Sequence, residues 1–139
     1  MIFCIYQKEF IMCAEAKMLK ILVVDDTLSV RKLLMRLLSS MGHHVTTAEN
    51  GASALQILSE QSLDIALIDW SMPGMDGLEL AKKIHETYPD IGISIMTGWV
   101  HQQENERLSE IGVKGIIEKP FDMNAIKKLL ESHSHMKKL

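Results

Sequence analysis

The 139-residue chain contains little of what several protein classes require. Its two cysteines, Cys4 and Cys13, lie close together near the amino terminus and cannot form the disulfide framework of a small secreted protein. No apolar stretch reaches the roughly 18 residues that a membrane-spanning helix needs, so no membrane insertion is expected. Lysine and arginine number 15 against 18 acidic residues, which disfavours direct nucleic-acid binding. These absences predict a soluble protein of a reducing compartment, and we expect it in the cytoplasm.

The length fits one folded domain, but the first 17 residues differ in pattern from the rest. Lys8 interrupts the apolar stretch there, and no small-residue cleavage pattern follows, which disfavours a cleaved signal peptide. Met12 and Met18 are both candidates for an alternative start. We therefore expect residues 1–17 to be an extension, disordered or upstream of the true start, that contributes little to stability. Residues 18–139 are predicted to form the domain.

From Lys20 onward, short apolar segments alternate with amphipathic ones. The run "KILVV", Lys20 to Val24, is continuously apolar, as is typical of a strand covered on both faces. The segment Leu28 to Ser40 places its leucines at helical spacing, with Arg31 among the residues outside that stripe. Four more strand and helix pairs follow, with helices predicted over 51–61, 78–88, 103–111 and 123–133. This alternation predicts an α/β protein whose parallel sheet carries helices on both faces.

Polar side chains follow four of the predicted strands. Asp25 and Asp26 come after the first strand, Asp69 after the third, Thr97 after the fourth and Lys119 after the fifth. In open parallel sheets, ligands bind outside the carboxyl ends of the strands. Three crowded carboxylates repel one another and favour a hard cation such as Mg²⁺. With that ion, one carboxylate can attack phosphorus and form an acyl phosphate, while the lysine and hydroxyl stabilise the phosphoryl oxygens.

Four motifs carry a family resemblance: "ILVVDD", "LIDWSMPGMDGLEL", "IMTGW" and "EKPF". Each is weak alone, but in this order and spacing they resemble the response-regulator receiver domains of two-component signalling. The resemblance covers Met18 to about Leu130 and implies a flavodoxin-like, doubly wound (βα)5 fold with strand order 2-1-3-4-5. It implies a signalling module, not a turnover enzyme, with at most self-phosphorylation and slow autodephosphorylation. The implied partners are a histidine kinase or phosphotransfer protein and a downstream protein target, with the module a monomer or weak dimer.

The resemblance also implies roles for the residues of the metal site. Asp69 corresponds to the phosphorylated carboxylate, and it also contributes to binding Mg²⁺. Asp26 corresponds to a direct metal ligand and Asp25 to a ligand acting through water. Ser71 corresponds to the residue that offers its backbone carbonyl to the metal. Chemotaxis output and transfer within a phosphorelay both remain open as the biological role.

The switching residues match the family less completely. Thr97 corresponds to the hydroxyl that turns toward the phosphoryl group, and Lys119 to the ammonium that pairs with it, in a cis peptide with Pro120. Where the family usually has tyrosine or phenylalanine, three residues before the lysine, this chain has Ile116. We therefore expect a switch without an aromatic rotamer, in which Trp99 is displaced with its loop or shields the phosphoryl group. Covering apolar surface is an equally good explanation for Trp99.

Simpler structural roles are open for several of these residues. An acidic pair such as Asp25 and Asp26 commonly caps the following helix, although Asp69 and Lys119 make that explanation weaker here. His133 and His135 stand two apart near the carboxyl terminus. Without further ligands, we interpret them as a solvated helix end and not as a metal site.

Two other functions are compatible with parts of this pattern. A phosphatase of the haloacid-dehalogenase type also uses an aspartyl phosphate, but it needs a second aspartate two residues beyond the nucleophile on the first strand. Thr27 stands at that offset from Asp25, which disfavours the enzyme. A receiver-like scaffold that binds partners without phosphorylation is disfavoured by the intact acidic residues.

Overall fold

The computed structural model describes residues 18–98 and 105–137. The predicted extension over 1–17 lies outside the described residues, and so does Trp99. The dispensability of the extension and the switching role of Trp99 therefore stay predictions.

Within the described ranges, five strands alternate with five helices, as the sequence predicts. The strands are β1 (Lys20–Val24), β2 (His44–Ala48), β3 (Ile65–Asp69), β4 (Gly92–Thr97) and β5 (Val113–Glu118). The helices are α1 (Leu28–Ser40), α2 (Gly51–Glu60), α3 (Gly77–Thr87), α4 (Asn105–Glu110) and α5 (Met123–Lys137). None of the described helices combines the length and the apolarity that crossing a bilayer requires.

The strands form one parallel sheet in the order β2-β1-β3-β4-β5, which confirms the predicted fold class and topology. One face of the sheet packs against α2, α3 and α4, and the other packs against α1 and α5. The central strand β3 is buried along its whole length because helices cover both of its sides. This burial explains why its sequence is apolar without alternation until Asp69.

Local sequence signals set several helix ends. Gly42, which follows α1, has a φ of 91°, a left-handed conformation that glycine adopts without a steric penalty. The Asn50 and Asp76 side chains cap α2 and α3 by accepting from the backbone N–H groups of Ser53 and Glu79, each at 2.8 Å. Asp122 stands directly before the helix predicted over 123–133, where a capping residue is expected, and it accepts from the backbone N–H of Ala125 at 2.9 Å.

The interpretation of His133 as part of a solvated helix end is wrong. Helix α5 continues to Lys137, and His133 is only 5% exposed. Its Nε2 lies 2.6 Å from the hydroxyl of the fully buried Ser94 in β4. Ile126 and Leu130 precede His133 by seven and three residues, so helical periodicity places all three on the face that packs on the sheet. Burial, together with the smaller effect of the positive charge of Lys114, lowers the pKa of His133 to about 4.

Candidate functional site

Three aspartates converge at the carboxyl edge of the sheet. Strands β1 and β3 are adjacent and parallel, with Val24 paired to Ile68, so both strands end at the same place. Asp25 and Asp26 follow β1 and Asp69 ends β3, and their carboxylate oxygens lie within 4.8 Å of one another. Asp25 is completely buried, Asp69 is nearly so and Asp26 is exposed. The site is therefore an acidic cluster that is open to solvent at Asp26.

Lys119 reaches this acidic cluster from the end of β5. Its Nζ donates to Oδ2 of Asp25 at 3.0 Å and to Oδ1 of Asp69 at 3.1 Å. The Lys119 backbone N–H donates to the carbonyl of Thr97 at 2.7 Å, and the peptide bond to Pro120 is cis, as expected. Hydrogen bonds between charged groups are stronger than neutral ones, so Lys119 ties two strand ends together.

The charges at this edge are only partly balanced. Burial raises the pKa of Asp69, the charges of Asp25 and Asp26 raise it further, and the Lys119 hydrogen bond opposes the rise. For Lys119, burial acts to lower the pKa, but its bonds to Asp25 and Asp69 outweigh burial and raise it. Three carboxylates against one ammonium leave two uncompensated negative charges when all four are ionised. An all-oxygen donor set with this charge fits a divalent cation of the Mg²⁺ type.

Asp25 does not act as the cap of α1. The capping position belongs to Thr27, whose side chain makes no capping hydrogen bond. Oδ1 of Asp25 accepts from the Thr27 backbone N–H at 2.8 Å, while Oδ2 faces Lys119. The Asp25 side chain therefore joins the turn after β1 to the acidic edge, and the helix-cap explanation is wrong for it.

The loop after β3 is held tightly against the sheet. Trp70 donates from its backbone N–H to the Met96 carbonyl at 2.9 Å, and its own carbonyl accepts from Gly77 at 3.0 Å. A Cβ atom on Gly77 would collide with the backbone of Asp69 and Trp70. Only glycine lets α3 begin this close to the acidic strand end. Ser71 lies exposed in this loop, and the role of its carbonyl as a metal ligand stays a prediction.

The structure places the remaining predicted residues as follows. Thr97 is the last residue of β4 and is buried at the same edge, with its carbonyl bonded to Lys119. Ile116 is half-buried in β5 and packs against the hydrophobic cluster beneath α3 and α4. No aromatic ring occupies this position, so the departure from the family pattern is a feature of the folded chain.

One contact of the site was missed in the sequence. Arg31, assigned to the outer face of its helix, donates from Nη1 to the backbone carbonyl of Asp25 at 2.7 Å. The position of Arg31 in the sequence could have indicated this contact, because a long basic side chain one turn into a helix can reach back to the loop that precedes the helix.

Comparisons with known proteins identify the family of this chain. The family model described as response regulator receiver domain matches residues 21–131. The chain is 32% identical over 118 residues to the sporulation initiation phosphotransferase F of Bacillus subtilis, covering 85% of this chain and 95% of that protein. It is 36% identical over 117 residues to the response regulator receiver protein CpdR of Brucella abortus, covering 81% of this chain and 98% of that one.

A solved structure of a response regulator is also similar to this chain. The response regulator TrrA of Thermotoga maritima, crystallised in complex with Mg²⁺ and BeF, superposes with a TM-score of 0.74 and is 32% identical. The similarity covers 84% of this chain and 99% of TrrA. Receiver domains are signalling modules of two-component systems and not classical enzymes. With its fold, its acidic strand ends and these matches, the chain belongs to the response regulator receiver domain family.

Proposed function

We propose that this chain accepts a phosphoryl group on Asp69 from a histidine kinase or a phosphotransfer protein, with Mg²⁺ bound at the acidic edge. The observation that carries the proposal is the convergence of Asp25, Asp26 and Asp69 within 4.8 Å, with Lys119 bonded to two of them. Asp25, Asp26, Asp69 and the Ser71 carbonyl would hold the ion. When bound, Mg²⁺ neutralises charge between the carboxylates and the incoming phosphoryl oxygens.

Asp69 is suited to act as the nucleophile because it is desolvated but reachable. Its side chain is 10% exposed, so one edge of the carboxylate faces solvent while the rest is surrounded by protein. A carboxylate oxygen of Asp69 attacks phosphorus, a new O–P bond forms, and the P–N bond to the donor histidine breaks with its electron pair returning to the imidazole.

Lys119 supports the transfer from a fixed position. Its ammonium already contacts Asp69, and it is held there by Asp25 and by the backbone bond to Thr97. As negative charge moves onto the phosphoryl oxygens, the ammonium can bond to one of them without crossing a solvent layer. The raised pKa of Lys119 keeps it protonated for this role at neutral pH.

We also propose that phosphorylation is transmitted through Thr97 and the face formed by α4, β5 and α5. A phosphoryl group adds charge and strong acceptor oxygens next to the Thr97 hydroxyl. Ile116, branched at Cβ and short, cannot sweep a large volume as an aromatic ring does. The change should therefore appear in the loop after β4, including Trp99, and not in a side-chain rotation in β5. The partner that binds this face would be a chemotaxis-type target or the next protein of a phosphorelay. The likeness to a sporulation phosphotransferase supports the phosphorelay.

Intact-mass measurement tests the acceptor. Incubation with acetyl phosphate and Mg²⁺ should add one phosphoryl group to the wild-type chain and none to Asp69→Asn. Asp90→Asn, which neutralises an exposed aspartate between α3 and β4, is the matched control and should be labelled like wild type. Labelling that survives in Asp69→Asn, or that is insensitive to EDTA, would exclude this site. Sustained turnover of p-nitrophenyl phosphate would favour the phosphatase alternative.

The switch is tested separately. Beryllofluoride should change the fluorescence of Trp99, measured against a Trp99→Phe control that retains Trp70. Thr97→Ala should be phosphorylated but should no longer bind the partner protein. If phosphorylated Thr97→Ala bound the partner as wild type does, the route through Thr97 would be wrong.

A further inference from the structure

Arg31 holds a backbone group of the acidic site that no other described side chain reaches. In α1, its half-buried guanidinium donates from Nη1 to the carbonyl oxygen of Asp25 at 2.7 Å. The other polar groups of Asp25 are also bonded: its N–H donates to Ala48, Oδ1 accepts from Thr27 and Oδ2 accepts from Lys119. Arg31 therefore completes the restraint of this residue.

The restrained carbonyl belongs to the peptide bond between Asp25 and Asp26. A peptide unit is planar, so fixing its C=O direction also fixes its N–H direction and the position of the next Cα. Asp25 is buried and its carboxylate is tied on both oxygens, but Asp26 is exposed. The Asp26 side chain starts from the Cα that this peptide plane positions, so a change in the plane also moves the Asp26 carboxylate.

We propose that Arg31 is a positioning residue for the divalent-cation site, acting through the Asp25–Asp26 peptide to keep the Asp26 carboxylate beside those of Asp25 and Asp69. The inference rests on the proposed function, because the ion in question is the Mg²⁺ that phosphorylation of Asp69 would require. Arg31 bonds a backbone carbonyl of the site, so its effect is on the geometry of the ligands.

The charge of Arg31 and its hydrogen bond make opposite contributions to cation binding. A guanidinium near the site repels Mg²⁺, so removing only its charge should strengthen binding. Removing an orienting hydrogen bond should weaken binding, and the loss of outer-shell partners typically costs 10–100-fold in metal affinity. The direction of the change in the Mg²⁺ dissociation constant therefore tells the two contributions apart.

Three variants test the inference. Arg31→Met removes the charge and the donor but keeps an apolar stem, and Arg31→Lys keeps the charge with a single shorter donor. Lys32→Met removes the same charge from the adjacent, exposed position of the same helix and is the matched control. Urea unfolding with and without MgCl₂ gives the dissociation constant from the Mg²⁺-dependent stabilisation, with no phosphoryl donor present.

We expect Arg31→Met to weaken Mg²⁺ binding about tenfold, Arg31→Lys to weaken it less, and Lys32→Met to bind at least as tightly as wild type. Equal or tighter binding by Arg31→Met overturns the inference, even if that variant is less stable in EDTA, because its role would then be structural only. If Arg31→Met does not fold, the same comparison is decided by Arg31→Lys. Wild-type protein that binds no Mg²⁺ overturns the proposed function as well, whereas normal wild-type binding with unaffected Arg31 variants overturns this inference alone.

Discussion

Acidification is expected to destabilise this protein through His133. The neutral imidazole is buried between α5 and β4, with Nε2 2.6 Å from the Ser94 hydroxyl. Its pKa is lowered to about 4 in the folded chain by burial and by the charge of Lys114. In the unfolded chain a histidine titrates near its ordinary pKa of about 6.5. The unfolded state therefore binds more protons than the folded state between these two values.

The sign and size of the effect follow from that difference. Because the folded-state pKa is depressed, the stabilisation is fully present above about pH 6.5 and is lost as the pH falls toward about 4. The pKa of His133 differs by roughly 2.5 between the unfolded and folded chains, which corresponds to about 3 kcal/mol of unfolding free energy in total, since a pKa difference of one is worth about 1.4 kcal/mol. Between about pH 7 and pH 5 the expected loss is about 2 kcal/mol, a large part of the stability of a small domain.

Urea unfolding followed by circular dichroism at these two pH values measures the loss, and His133→Gln isolates it. Glutamine can keep a hydrogen bond to Ser94 but does not titrate, so this variant should lose about 2 kcal/mol less than wild type on acidification. His44→Gln is the matched control because it removes an imidazole that stays in solvent when the chain folds. The reasoning is refuted if His133→Gln and wild type lose the same free energy.

The remaining predictions concern the acidic edge. Lys119→Met should lower the metal-free unfolding free energy by roughly 1–3 kcal/mol and tighten Mg²⁺ binding, because Asp25 and Asp69 lose the ammonium that they share. Urea unfolding in EDTA and in MgCl₂ measures both quantities, and unchanged values would contradict the prediction. Asp69→Asn should raise the unfolding free energy at neutral pH. The pKa of Asp69 is raised in the folded chain, so its ionised carboxylate destabilises the fold at any pH above the pKa that Asp69 has in the unfolded chain. A less stable variant would contradict this prediction. Gly77→Ala should lower the unfolding free energy by about 1–3 kcal/mol, since the added methyl group would collide with the backbone of Asp69 and Trp70. An unfolding midpoint equal to that of the wild type would show that the loop accommodates the methyl group without strain. Mg²⁺ at about ten times its dissociation constant should add about 1.4 kcal/mol of stability to the wild-type chain, a gain that Asp69→Asn should reduce.

The sequence by itself determined the elements of this fold and which polar residues stand at its carboxyl edge. Apolar runs, helical periodicity and capping residues such as Asp122 depend on only a few neighbouring positions, so strands and helices can be recognised from them without a structure. The polar residues that end the strands could be assigned to one edge because parallel strands end on the same side of a sheet. The resemblance then matched individual residues to roles, and the family comparison confirms the family itself.

The tertiary structure decided which of these groups touch. Lys119 and Asp25 lie 94 positions apart, and the sheet order that brings β5 within reach of the end of β1 is not encoded in any local period. Arg31 and His133 had the same local appearance as solvated residues, yet one bonds a carbonyl of the site and the other is buried against β4. Helical spacing predicts on which side of the helix a side chain lies, but not which other segment of the chain packs against that side. Burial, charge compensation and the shifted pKa values arise only when distant segments meet, because desolvation depends on neighbours that the chain supplies from elsewhere in its length.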